Sequence, residues 1–185
     1  MTARPAAFLD RDGTIMRDAS YVHDPFDVEL LPRAAEAIAK LNARGVPVIV
    51  VTNQSGIARG WMNEDDYRRV RAQLDALLAE RGARIDETFM CPHHPEFTGP
   101  CDCRKPGTAL YREAIAKYEL DPARSLFTGD RWRDIQPSRA FGGLGILLDV
   151  ESTPAEDRAR AIAEGFPLEN SLDAAVDRFL TTLPP

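Results

Sequence analysis

Val46-Pro-Val-Ile-Val-Val51 is a near-continuous run of β-branched residues, and it limits the architecture before anything else is read. A strand with no polar alternation has to be covered on both faces, as in a parallel sheet between two helical layers. The flanking segments agree. Pro32 opens a helix that puts Ala34, Ile38 and Leu41 on one face, and Gly45 closes it. Asn63 reads as the cap of a second helix whose first turn holds Glu64, Asp65 and Asp66, a placement that suits the helix dipole; Gly82 follows its last turn. Further short apolar runs, 6–9, 85–90, 125–128 and 144–148, read as strands. Helical patterns lie between and after them, over 108–118, from after the 125–128 strand to Gly142-Gly143, and over 155–164 and 172–180. Alternating strands and helices with short joints predict an α/β fold, a Rossmann-like doubly wound and mostly parallel sheet, with residues 1–185 as one domain.

The chain is long enough to bury a core without disulfide staples, and its 44% hydrophobic and 28% charged residues are ordinary for a soluble protein. No apolar run approaches the roughly 20 residues of a membrane helix, and the first residues carry no secretion pattern, so the expected place of work is the cytoplasm. A net charge of -6 argues against nucleic acid as a partner. It leaves room for a small anion, which responds to the local field of a cleft. The cysteines, 91, 101 and 103, are odd in number and lie beside two histidines. That pattern points to metal rather than to a disulfide.

In open sheets of this class, ligands bind outside the carboxyl ends of the strands. The residues just after the apolar runs are therefore the informative ones: Asp10-Arg-Asp-Gly-Thr14, Thr52-Asn-Gln-Ser55, Cys91 to Lys105, and Gly129-Asp130 with Asp134. Asp10 and Asp12 crowd one strand end, and Asp130 arrives from another. Such crowding raises a carboxyl pKa or calls for a hard divalent cation, and magnesium is the expected one. One carboxylate can then attack phosphorus while the other donates a proton to the leaving oxygen.

These four pieces, in this order and spacing, resemble the haloacid dehalogenase superfamily. The resemblance implies a nucleophile at Asp10 and a general acid/base at Asp12. It implies phosphoryl contacts from Thr52 and Lys105, and magnesium held by Asp10, the backbone carbonyl of Asp12 and Asp130, with Asp134 in support. No insertion is large enough for a cap domain, so a small open site and a compact substrate are expected.

Cys91-Pro-His-His-Pro-Glu-Phe-Thr-Gly-Pro-Cys-Asp-Cys103 offers thiols and imidazoles in the kind of short loop that zinc orders. The loop is similar to that of bacterial heptose-bisphosphate phosphatases and of histidinol-phosphate phosphatases. Their pattern assigns Cys91, His93, Cys101 and Cys103 to a structural zinc and leaves His94 at the surface. Such a metal would pin the backbone that aims Arg104 and Lys105.

The phosphate ester divides the two branches. Thr52-Asn53-Gln54-Ser55 and the segment with Asp18 and Tyr21 look like the substrate contacts of the heptose branch; Arg131, with Asp134-Ile-Gln136, is similar to the histidinol branch. A bisphosphate needs a second anion clamp, for which Arg104 and Arg131 are the candidates and Arg11 and Arg59 possible helpers. A cationic histidinol amine would rather meet a carboxylate than Ser55. The favoured reaction is removal of the carbon-7 phosphate from D-glycero-D-manno-heptose 1,7-bisphosphate by a monomer. Histidinol phosphate is the alternative ester, and a non-catalytic zinc module binding a protein through an exposed Phe97 is the alternative of another class.

Overall fold

The computed structural model describes residues 3–19 and 21–184. Six parallel strands form one sheet in the order β3-β2-β1-β4-β5-β6: β1 (Ala7–Leu9), β2 (Val48–Asn53), β3 (Glu87–Cys91), β4 (Leu126–Gly129), β5 (Leu144–Leu148) and β6 (Leu168–Glu169). The first five were expected from the apolar runs. The two-residue β6 was not, because so short a pairing leaves no periodic signal.

Alternate side chains of each strand enter different cores, as the pleat requires. Ala7, Leu9, Val48, Val50, Leu126, Ile146 and Leu148 pack with α1 (Ala34–Ala43), α2 (Glu64–Ala79) and α8 (Leu172–Thr181). Phe8, Ile49, Val51, Phe89 and Phe127 face the other way, against Leu110, Tyr111 and Ala114 of α4 (Ala109–Tyr118). Phe8 stacks on Phe127 with centroids 4.8 Å apart, directly across the β1–β4 pair. The double coverage predicted for the β2 run is thus observed.

Helix boundaries follow their local chemistry. Asn63 and Asp66 form a reciprocal capping box at the start of α2. The single helix expected before Gly142 is instead two, α5 (Trp132–Ile135) and α6 (Pro137–Phe141). Pro137 has no amide hydrogen to continue the ladder, and its ring obstructs the preceding turn. A four-residue α3 (Pro95–Thr98), capped by the His94 side chain, lies within the Cys/His loop, and α7 (Ala155–Ala163) precedes β6. No helix among the described residues is long and apolar enough to cross a membrane.

The strand order reverses between β1 and β4. In a doubly wound sheet the crevice outside the strand ends opens at that switch point. Asp10 follows β1 and Asp130 follows β4, so the topology brings them together.

Candidate active site

Asp10 is buried at the end of β1, where its amide donates to the Thr128 carbonyl of β4 at 3.0 Å. Lys105, also buried, reaches in from the Cys/His side. Its Nζ lies 2.7 Å from Asp10 Oδ1 and 2.7 Å from Asp134 Oδ1. Burial works against the charge of this ammonium, but Asp10 and Asp134 outweigh it and hold Lys105 above its usual range. Asp130 completes the cluster. Burial first, then the charges of Asp134 and Asp10, push its carboxyl up to about 7.

One carboxylate oxygen from each of Asp10, Asp130 and Asp134 lies within 4.8 Å of the others. Oxygens bound to a common magnesium at ~2.1 Å sit up to about 4.2 Å apart, so the spread is close to what the ion needs. Asp130 Oδ1 is buried with no hydrogen-bond partner, which is the state of an oxygen that a cation would satisfy. Two glycines make the approach possible. A Cβ on Gly13, whose φ is +75°, would lie 2.4 Å from Asp130 Oδ2, and one on Gly129 would lie 2.4 Å from Asp134 Oδ2.

Asp12 lies outside that cluster. Its Oδ1 accepts from Arg11 Nη2 at 2.8 Å, and its Oδ2 accepts from Gln54 Nε2 at 2.8 Å. Gln54 also donates to Thr52 Oγ1 at 2.8 Å, so one amide joins the general acid and the phosphoryl contact that are expected from sequence. The side chain of Asp12 is therefore committed to Arg11 and Gln54 rather than to the carboxylate cluster.

A cavity of about 270 Å³ opens here, lined by Asp12, Asp18, Tyr21, Asn53, Gln54, Ser55 and Arg104, all of which the sequence had singled out, and by Arg11 and Arg133. Within this group Asn53 braces the backbone of Lys105. Its amide oxygen accepts from the Lys105 amide at 2.9 Å, and its nitrogen donates to the Lys105 carbonyl at 3.2 Å.

Three arginines depart from the expectations drawn from sequence. Arg131, expected in the anion clamp, is not among the cavity-lining residues and pairs with Asp18 and Asp130, each at 3.3 Å. Its position as the residue capping α5 turns it toward those acids. Arg11 is buried, with its Nε and Nη2 bonded to Asp12 and Gln54. Arg59 lies outside the cavity lining, held between the rings of Trp61 and Phe97 at 5.0 and 5.2 Å and bonded to His94 Nε2 at 2.7 Å. Tyr21 meets that group edge-on, 4.4 Å from Trp61.

Two residues were missed. Ser152 Oγ donates to Asp130 Oδ2 at 2.6 Å; applying the strand-end rule to the fifth strand as well would have found it. Arg133, one position before Asp134, carries no sequence signal beyond its charge.

The second cluster joins Cys91, His93, Cys101 and Cys103. Cys91 Sγ lies 3.7 Å from Cys101 Sγ and 3.0 Å from Cys103 Sγ, and His93 Nδ1 lies 3.2 Å from Cys103 Sγ. A tetrahedron with ~2.3 Å zinc–sulfur bonds has edges near 3.8 Å, so four ligands of the right softness stand at about the right size. The sulfurs are free thiols. Burial, then the hydrogen bond with Cys103, push the Cys91 thiol up to about 12, a crowding that a cation would relieve. His94 stays out of this set and serves Arg59 instead. Arg104 is tied to the loop through Nη1, which donates to the His93 carbonyl at 3.2 Å.

A family model described as haloacid dehalogenase-like hydrolase matches residues 26–142. The chain belongs to that family. Among curated proteins, the D-glycero-beta-D-manno-heptose-1,7-bisphosphate 7-phosphatase of Photorhabdus laumondii subsp. laumondii is 40% identical over 167 residues, covering 85% of this chain and 89% of the relative. The protein of the same name from Pasteurella multocida is 40% identical over 136 residues, covering 71% and 74%. In solved structures, the D,D-heptose 1,7-bisphosphate phosphatase of B. bronchiseptica, complexed with magnesium and phosphate, superposes with a TM-score of 0.86 at 31% identity, over 97% of this chain and 99% of that one.

Proposed function

We propose that this hydrolase removes the 7-phosphate of D-glycero-D-manno-heptose 1,7-bisphosphate through a phospho-aspartate on Asp10. The observation that carries the reading is a strand-end aspartate bonded to a buried lysine, with Asp130 crowded beside it, next to an arginine-lined cavity. The names of its relatives at 40% identity support the choice of ester.

Asp10 attacks phosphorus with a carboxylate oxygen, and the P–O bond to the sugar breaks. Asp12, facing the cavity, donates the proton that the leaving sugar oxygen needs. It then takes a proton from the water that attacks the phospho-aspartate, releasing phosphate and restoring Asp10. Lys105 holds Asp10 in place and offsets charge on the phosphoryl oxygens, with Thr52 as a further contact. Magnesium, held by Asp10 and Asp130 with the Asp12 backbone carbonyl, supplies neutralisation of the phosphoryl charge. Zinc, held by Cys91, His93, Cys101 and Cys103, has four protein ligands and so a structural role. Asp18, Tyr21, Ser55 and Arg104 face the sugar and its second phosphate. Free thiols used as metal ligands fit the reducing cytoplasm, and the reading takes the enzyme as a monomer.

Phosphate release from heptose 1,7-bisphosphate and histidinol phosphate, measured side by side with magnesium, tests this. Faster release from the bisphosphate is expected; faster release from histidinol phosphate would reverse the assignment.

A further inference from the structure

The cavity beside Asp10 carries more positive charge than the transfer of one phosphoryl group requires. Lys105 already meets Asp10 and Asp134. Two more guanidinium groups, Arg104 and Arg133, line the same cavity. Neither is neutralised by contact. Arg104 donates only to the His93 carbonyl, and among the described residues Arg133 makes no hydrogen bond or ion pair. Their neighbours differ: Arg131 is matched to Asp18 and Asp130, and Arg11 to Asp12.

The two groups share one cavity lining, with Arg104 held at the His93 carbonyl 3.2 Å away. With no acid in contact, both planar forks stay open to an incoming anion, and such a pair suits the oxygens of a phosphate. Arg133 is well anchored for such a grip. Its neighbours in α5, Trp132, Asp134 and Ile135, are all buried, which fixes the turn while the arginine itself stays exposed.

We propose that Arg133, together with Arg104, grips the phosphate that stays on the sugar and so sets the preference for a bisphosphate over a monophosphate. This rests on the function proposed above and adds a residue that recognises the second phosphate. The alternative place for a guanidinium here is on the transferred phosphoryl group itself, and kinetics separate the two.

The experiment compares wild type with Arg133→Gln and Arg133→Lys on heptose 1,7-bisphosphate, heptose 7-phosphate and p-nitrophenyl phosphate. Near-universal loss through misfolding is excluded by circular dichroism and by the monoester rate. The expected result is a KM for the bisphosphate raised roughly tenfold or more in Arg133→Gln, from loss of a charge-assisted contact. Its kcat and both monoester rates should stay within about twofold, and Arg133→Lys should recover part of the loss. An equal loss on all three substrates would assign Arg133 to the transferred group and overturn the proposal, as would an unchanged bisphosphate KM. The wild-type arm alone judges the function. Should wild type fail on the heptose esters, Arg133 is judged by inhibition of p-nitrophenyl phosphate turnover by heptose 1,7-bisphosphate. Weaker inhibition in Arg133→Gln supports the clamp, and equal inhibition removes it.

Discussion

Asp10, Asp130 and Asp134 stand on strand ends and a first helical turn that the packed sheet fixes whether or not a cation is bound. Cys91, His93, Cys101 and Cys103 are different: Cys91 ends β3 in the core, but the other three lie on a loop whose longest regular element is the four-residue α3. In the first region the fold makes the candidate metal site; in the second a bound zinc would help to order the fold. The contrast extends to what each region positions. Lys105, next to the loop in sequence, has its backbone clamped by Asn53 at the end of β2, whereas Arg104 hangs from the His93 carbonyl. Zinc should therefore matter more to substrate grip than to the chemical step.

The carboxylate region can be broken outright with Asp10→Asn. Turnover should fall on the order of 10⁴-fold or more while the melting temperature holds, since the change removes the proposed nucleophile and keeps the shape. Retained turnover would end the enzymatic reading. Zinc removal, by chelation or Cys103→Ser, sharpens the contrast. KM should rise roughly 10- to 100-fold and amide exchange in residues 92–103 should quicken, with kcat changing by only a few fold. A collapse of kcat at constant KM would mean that the loop, not Asn53, positions Lys105.

Asp130 gives a pH signature that the thiol site does not share. Without a cation its folded carboxyl titrates at about 7, above the ordinary 3.8. The folded state then binds the extra proton between those values, so stability without magnesium should fall as pH rises through that window. Magnesium must displace the proton, so its affinity should drop by up to about tenfold per unit below pH ~7 and level off above it. Calorimetry with and without magnesium across about pH 5 to about pH 8 checks both signs; a flat affinity would show that Asp130 is not a ligand. The smallest effect belongs to Asn53→Ala. Losing its two bonds to the Lys105 backbone should cost about 1–3 kcal/mol of stability and a few fold in kcat, visible as a lower melting temperature.

Much of this was legible without coordinates. The β2 run demanded two covering layers, the caps at Asn63 and Gly82 set a helix, and the strand-end rule selected Asp10, Thr52, Lys105 and Asp130 from segments far apart in the chain. The ligand spacing of the Cys/His loop also survived intact, because short-range geometry is carried by neighbouring residues. The break at Pro137 was written in the sequence too, although the expected helix ran through it.

What escaped depended on direction and partnership. Five arginines lie around the cleft with the same intrinsic charge. Arg131, expected in the anion clamp, turns to Asp18 and Asp130; Arg59 is held by aromatic rings; Arg11 is buried under Asp12; among the described residues only Arg104 and Arg133 line the cavity without an acid in contact. Arg131 precedes α5 in extended backbone while Arg133 lies within its first turn, so the two guanidinium groups leave the chain in different directions, and no local pattern records the acids that will meet them. Ser152 is bonded to Asp130, 22 positions away, by the same kind of long-range choice. The sequence by itself determined the layered sheet and the strand-end carboxylates, since these follow from apolar periodicity, while the choice of Cys91, His93, Cys101 and Cys103 rested on the resemblance of their loop to that of known phosphatases. Only the tertiary structure decided which charges are matched and which are left facing the cavity, because pairing depends on distances between segments that the chain order does not contain.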